Sequence, residues 1–192
     1  MSWHTVHLAD VPPSPWKNGG GTTRELLAWP SAQDWAWRMS VAEVESSGPF
    51  SAFEGVQRWF AVLAGAGVRL DIGQPSHQHS HTLTASGTPL CFDGSSPAHC
   101  SLLGGATQDF NLMLRKGSAQ GRMERVCGRL ETVLHAPKIV AAYAISMRSR
   151  VQFGSEYLDV AAGSLVWRHA TAGTAVAVTA EDVLWMEIEP CP

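Results

Sequence analysis

Apolar and polar residues alternate along much of this chain with a period of two. In "WAWRMSVAEVE" (35–45), Trp35, Trp37, Met39 and Val41 share one face and Arg38, Ser40 and Ala42 the other. That pattern marks a half-buried strand. "RWFAVLAG" (58–65) reads as a short apolar strand ending at Gly65, and "GVRLDIG" (67–73) follows after one residue, which predicts a hairpin between the two. "DFNLMLR" (109–115) sets Asp109, Asn111, Met113 and Arg115 against Phe110, Leu112 and Leu114. "KIVAAYAISM", "VQFGSEYLDV", "GSLVWRHA", "TAVAVTA" and "VLWMEIEP" continue the series. Helix signals hardly appear. "AQGRMERVCGRLE" (119–131) is expected to be a short helix or a loop crossing between halves, and "GTPLCFDGSSPAHCS" to be strand ends and a surface turn.

About a dozen short strands, spaced by roughly 8–12 residues, predict a sandwich or barrel. The second half repeats the first's order of strands, a glycine turn and strands again. The expected fold is therefore all-β with few short helices. It is one unit over residues 1–192, built from two barrel- or sandwich-like halves at about 1–118 and 130–190.

Composition narrows the function. Of 192 residues, 45% are apolar and 16% charged, with a formal net charge of -3. This is a globular chain with no basic excess for neutralising phosphates, so no nucleic-acid partner is expected. No apolar run approaches the ~20 residues of a membrane span. The start, "MSWHTVHLADVPPSPW", has neither a basic nor an apolar leader region. Cys91, Cys100, Cys127 and Cys191 form no CxxC pair. Reduced thiols and a cytoplasmic location are expected.

"WKNGGGTTRE" (16–25) is the least ordinary stretch. A phosphate loop needs GxxxxGK[ST] between a buried strand and a helix. Here the lysine precedes the glycines, and the prolines of "VPPSP" exclude a central strand upstream. "TTRELLAW" reads as a strand with Thr23, Glu25 and Leu27 on one face. Gly19, Gly20 and Gly21 then have two explanations. They form a bulged turn into an edge strand, or they let a ligand rest on exposed glycine amides beside Lys17, Asn18 and Arg24.

"PWKNGGGTTREL", "WRMSVAEVESSGPFSAFEGVQRWFAVLAG" and "DFNLMLRKG", in this order and spacing, resemble successive signatures of the HutD/Ves family. The resemblance covers most of residues 15–117 and is loose past residue 120. It implies a double-cupin fold and a role in histidine utilisation: binding an intermediate such as N-formylglutamate and limiting flux. No enzymatic reaction comes with it, and no cofactor.

The residues support an anion pocket. Arg58 heads an apolar strand, where it is costly unless paired or ligand-bound. Arg with Asn supplies the guanidinium fork and neutral donors that a small carboxylate needs. Lys17, Asn18, Arg58 and Asn111 lie inside the matching blocks and are the resemblance's ligand residues, with Trp16, Gly19, Gly20 and Arg24 beside them. Phe50 and Phe53 are expected to close one side. The competing reading pairs Arg58 with Asp109 or Glu25 as a structural ion pair.

The alternative function is a metal-dependent cupin enzyme, an isomerase or oxygenase. His77, His79 and His81 of "HQHSH" would converge on one ion if all three lay on an extended strand. The glutamate that usually follows such a motif is missing, and the flanking Gly, Pro and Ser suit an exposed loop. No GxSxG elbow or evident base supports a nucleophilic enzyme. The expected partner is a small organic acid, with no membrane and no nucleic acid. A homodimer is left open.

Overall fold

The computed structural model describes residues 2–191. In chain order the strands are β1 (His4–His7), β2 (Ser14–Pro15), β3 (Gly21–Pro30), β4 (Trp35–Val44), β5 (Gly48–Phe50), β6 (Val56–Ala64), β7 (Val68–Ile72), β8 (His79–Leu83) and β9 (Leu90–Asp93). They continue as β10 (Ala98–Leu102), β11 (Thr107–Arg115), β12 (Ala119–Val133), β13 (Lys138–Ala144), β14 (Ser149–Phe153), β15 (Glu156–Val160), β16 (Ser164–Ala170) and β17 (Ala175–Pro190). Among the described residues, helix is confined to single 3-10 turns at Leu8–Asp10 and Pro75–His77. The chain is all-β.

It divides into two units, residues 12–117 and residues 1–11 with 118–192. The first unit has a six-stranded sheet ordered β2-β3-β4-β11-β6-β9 and a four-stranded sheet ordered β5-β10-β7-β8. Val44, Phe60 and Val62 of the larger sheet share one core with Val68, Leu70, Ile72, Leu83, Ala98 and Cys100 of the smaller. Paired residues of neighbouring antiparallel strands point the same way. The inner face of the larger sheet therefore carries Ser40, Arg58, Phe60, Asp109, Asn111 and Met113.

The second unit repeats this pairing scheme. β13 lies between β16 and β17 as β6 lies between β9 and β11. β14 pairs with β15 and β17 as β7 pairs with β8 and β10. β17 is thus one long strand doing what β10 and β11 do separately. Its core gathers Val140, Ala142, Val151, Val166, Val178, Val183 and Trp185. β1 pairs with β16, which puts the amino-terminal residues in the second unit.

Three local expectations change. β6 and β7 form no hairpin, because the chain turns at Gly65 and Gly67, both at positive φ, and passes to the other sheet. Residues 119–131 are neither helix nor loop but most of β12, paired along β17. Leu90–Asp93 and Ala98–Leu102, the expected strand ends, are β9 and β10, and β9 pairs with β6. A bulge between Glu25 and Leu27 inserts one residue into β3, so Leu27 opposes Met39 and leaves the face of Thr23 and Glu25.

Candidate functional site

The inner face of the first unit opens into a cavity of about 540 Å³, within the usual range for a small-molecule site. Its floor comes from three neighbouring strands: Arg38, Ser40 and Ala42 on β4, Asn111 and Met113 on β11, and Arg58 on β6. Its rim is Ser14–Asn18 with Thr23, and Pro49–Ser51 with Phe53.

Arg58 dominates this cavity. It is 7% exposed, and its Nε and Nη2 both donate to Asn111 Oδ1, at 2.9 and 2.7 Å. Phe50, Phe92, Phe60 and Phe53 surround the guanidinium with ring centroids 4.8 to 6.0 Å from Cζ. These contacts stabilise a cation without neutralising it. The ion pair of the structural reading is absent. Glu25 Oε2 lies 2.7 Å from Arg38 Nε, at an angle poor for a hydrogen bond, and Asp109 Oδ2 accepts from Thr107 Oγ1 at 2.8 Å. Burial lowers the Arg58 pKa to about 10, against the pull of Asp109, so the group stays cationic at neutral pH. Burial likewise raises Asp109 to about 7, although the Thr107 hydroxyl and Arg58 oppose it.

The glycine stretch resolves as structure. Gly19 takes φ +70°, and its N–H donates to Trp16 O at 3.0 Å. Gly20 N–H donates to Asn18 Oδ1 at 3.1 Å. A Cβ on Gly21 would stand 2.1 Å from Glu43 O, so β3 can approach β4 there only as glycine. The amides of Gly19 and Gly20 are therefore engaged within the turn, and neither residue lines the cavity. What the turn does is hold the rim: Trp16 N–H donates to Gly21 O, its indole Nε1 donates to Thr23 Oγ1 at 2.7 Å, and its ring meets Phe50 edge-on.

Of the expected ligand residues, Trp16, Lys17, Asn18, Arg58 and Asn111 come together around the cavity, as do Phe50 and Phe53. Arg24 does not. Its register partner is Val41, which places it on the opposite face of the sheet. Phe92 was not among the expected site residues, because only the pairing of β9 with β6 brings it beside Arg58. The strand itself was legible, since Leu90–Asp93 is a short apolar run before a Gly-Ser turn.

The three histidines do not converge. His77 lies in the 3-10 turn with its Nδ1 on Ser76 Oγ at 3.0 Å, and only His79 and His81 belong to β8. Among the described residues, no group of three or more His, Cys, Asp or Glu could hold a metal ion. Cys91, Cys100, Cys127 and Cys191 are all free thiols. No described helix is long and apolar enough to cross a membrane.

The matching strands of the second unit carry a different set. Across β12, β17, β13 and β16 the inner face reads Arg122, Glu187, Val140 and Arg168. Across β4, β11, β6 and β9 of the first unit the row reads Arg38, Met113, Arg58 and Phe92. Glu187, 4% exposed, accepts from Arg122 Nη2 at 2.6 Å, Lys138 Nζ at 2.7 Å and Trp185 Nε1 at 3.3 Å. Arg168 donates to Glu156 at 3.0 Å. Two hollows on this unit lie over other residues, such as Arg129, Gln152 and Ala177.

Comparison with known proteins agrees with this architecture. The HutD family model matches residues 8–186. A 21.2 kDa protein from the hutC 3' region of Pseudomonas putida is 41% identical over 122 residues, which are 62% of each chain. The match thus spans less than two thirds of that relative's length. The structure of HutD from Pseudomonas fluorescens, determined in a formate condition, superposes with a TM-score of 0.85 at 27% identity, covering 100% of both chains. Oxalate decarboxylase from Lactobacillus farciminis shares the fold, a double cupin, at 8% identity with a TM-score of 0.68, covering 100% of this chain and 87% of that one.

Proposed function

The chain belongs to the HutD family, and from that premise we propose that it is a non-enzymatic binding protein for a small carboxylate. One observation carries the reading. Arg58 is a buried cation whose nearest polar partner is a neutral amide, and it faces an open cavity. A buried charge left without a counter-ion is expensive. A ligand carboxylate would supply the missing charge. Asn111 and Ser40 offer neutral groups beside it, and Lys17 on the rim is placed for a second acidic group. N-formylglutamate, with one carboxylate for each cation, fits that arrangement. The relative from the hutC 3' region supports the link to histidine utilisation. The role we infer is regulatory, limiting flux in histidine utilisation by sequestering an acidic intermediate. The enzyme alternative loses its geometric premise, since His77 stands outside the strand of His79 and His81.

Thermal shift tests this. N-formylglutamate should raise the melting temperature, whereas its diamide should not. At one hundred times the dissociation constant the stabilisation is about 2.7 kcal/mol, several degrees for a protein of this size. Failure of every small carboxylate to shift the wild-type protein would refute the reading.

A further inference from the structure

Behind the cavity lies a titratable group that anion binding alone does not require. Asp109 is 0% exposed and sits two residues from Asn111 on the same face of β11. Its Oδ2 accepts from Thr107, while its buried Oδ1 has no hydrogen-bond partner. Around it stand Ala42 on β4, Val62 on β6 and the Cys100 thiol on β10. Burial and Asp109 together push that thiol up to about 12, so it carries no charge. The charge that Asp109 senses is Arg58.

We propose that Asp109 couples carboxylate binding to proton uptake, so that the anion enters the first unit's cavity together with one proton. This rests on the anion-binding reading above. With the cavity empty, ionised Asp109 and Arg58 attract each other without forming an ion pair, a pull that only partly offsets the burial of each. A carboxylate on Arg58 places a second negative charge against the same guanidinium in a desolvated interior. Like charges sharing a site force one group to take a proton. The ligand is held by the guanidinium and Asn111, so Asp109, with its bare oxygen, is the group that accepts it. Its pKa near 7 in the empty protein leaves it ready to do so at neutral pH. Linkage makes the effect reciprocal: protonation of Asp109 tightens anion binding by the same factor that the anion favours protonation.

Calorimetric titration with acetate, which stays ionised throughout, tests this at pH 6, 7 and 8 in two buffers of different ionisation heat. Wild type should bind with constant affinity up to the Asp109 pKa. Above it, affinity should fall up to tenfold per pH unit, with close to one proton taken up per acetate at pH 8. Asp109→Asn should bind at the wild-type pH 6 affinity at every pH, with no proton uptake. Thr107→Val, which removes the bond favouring the ionised form, should move the onset of the fall to higher pH. Wild-type binding that is flat from pH 6 to 8 without proton uptake overturns the coupling but leaves the anion site standing. A slope that survives in Asp109→Asn does the same. Absence of acetate binding at every pH, by contrast, overturns the anion site and the coupling together.

Discussion

Asp109 and Glu187 are both buried carboxylates on inner faces, one on β11 and the other on its counterpart β17, yet their surroundings drive them in opposite directions. Burial raises Asp109 to about 7, and the opposing pull of Thr107 and Arg58 is too weak to prevent it. Burial also pushes Glu187 upward, but hydrogen bonds from Arg122, Lys138 and Trp185 outweigh it and hold the group below its usual range. The second unit closes its charges among its own residues. In the first, Arg58 meets a neutral amide and Asp109 a hydroxyl, with a cavity between the guanidinium and solvent. The same strand scheme thus yields a self-neutralised mouth and one that is incomplete, and only the incomplete one has a place for a ligand's charge.

The largest effect should come from Glu187→Ala. It leaves Arg122 and Lys138 beside an emptied position, and breaking such a partly buried pair should cost about 3 kcal/mol in urea unfolding. The depressed Glu187 pKa stabilises the fold above the unfolded carboxylate value of about 4.3, and that stability is lost as pH falls through the lower folded value. The variant should lack this part of the acid transition.

Asp109→Asn should act with the reverse sign and a smaller size. The Asp109 pKa is raised, so between about pH 4 and 7 the folded state holds a proton that the unfolded state has lost, and wild-type stability falls as pH rises across that window. The substitution should therefore stabilise at pH 8, by less than the roughly 4 kcal/mol that a rise of about three units sets as a ceiling, and by almost nothing at pH 4. Thermal unfolding at the two pH values checks it.

Arg58→Ala should change the stability of the unliganded protein by only about 1 kcal/mol, because water in the cavity can replace the guanidinium at Asn111. A loss as large as that of Glu187→Ala would make Arg58 a structural residue and erase the contrast. Lys17→Ala should be the smallest, weakening a diacid by under about 1 kcal/mol and only at low salt.

Period-two alternation made the strands of the first unit legible, and the apolar setting of Arg58 together with the polar face of Asn111 pointed to the cavity. Three features escaped it for physical reasons. The inner face of β12 begins Gln120, Arg122, Glu124 at a charged mouth, so apolar alternation is missing where the strand starts. The bulge in β3 reverses faces after Glu25 without any glycine to announce it. Gly65 and Gly67 look like a hairpin turn, but they carry the chain from one sheet to the other. The partner of Arg58 was also out of reach. Asp109 and Asn111 share a face in the alternation, and only the register of β6 against β11 decides which one meets the guanidinium.

The central claim is that one carboxylate binds in the first unit, on Arg58. Titration calorimetry with N-formylglutamate against wild type, Arg58→Ala, Arg58→Lys and Arg122→Ala tests it most directly. The account predicts one ligand per chain for wild type and Arg122→Ala. Arg58→Ala should lose ten- to hundredfold in affinity, the loss of a charge-assisted bond of roughly 1.5–3 kcal/mol. Lysine at that position should restore only part, since an ammonium lacks the two-pronged geometry. Equal affinity in wild type and Arg58→Ala, or a loss confined to Arg122→Ala, would contradict it.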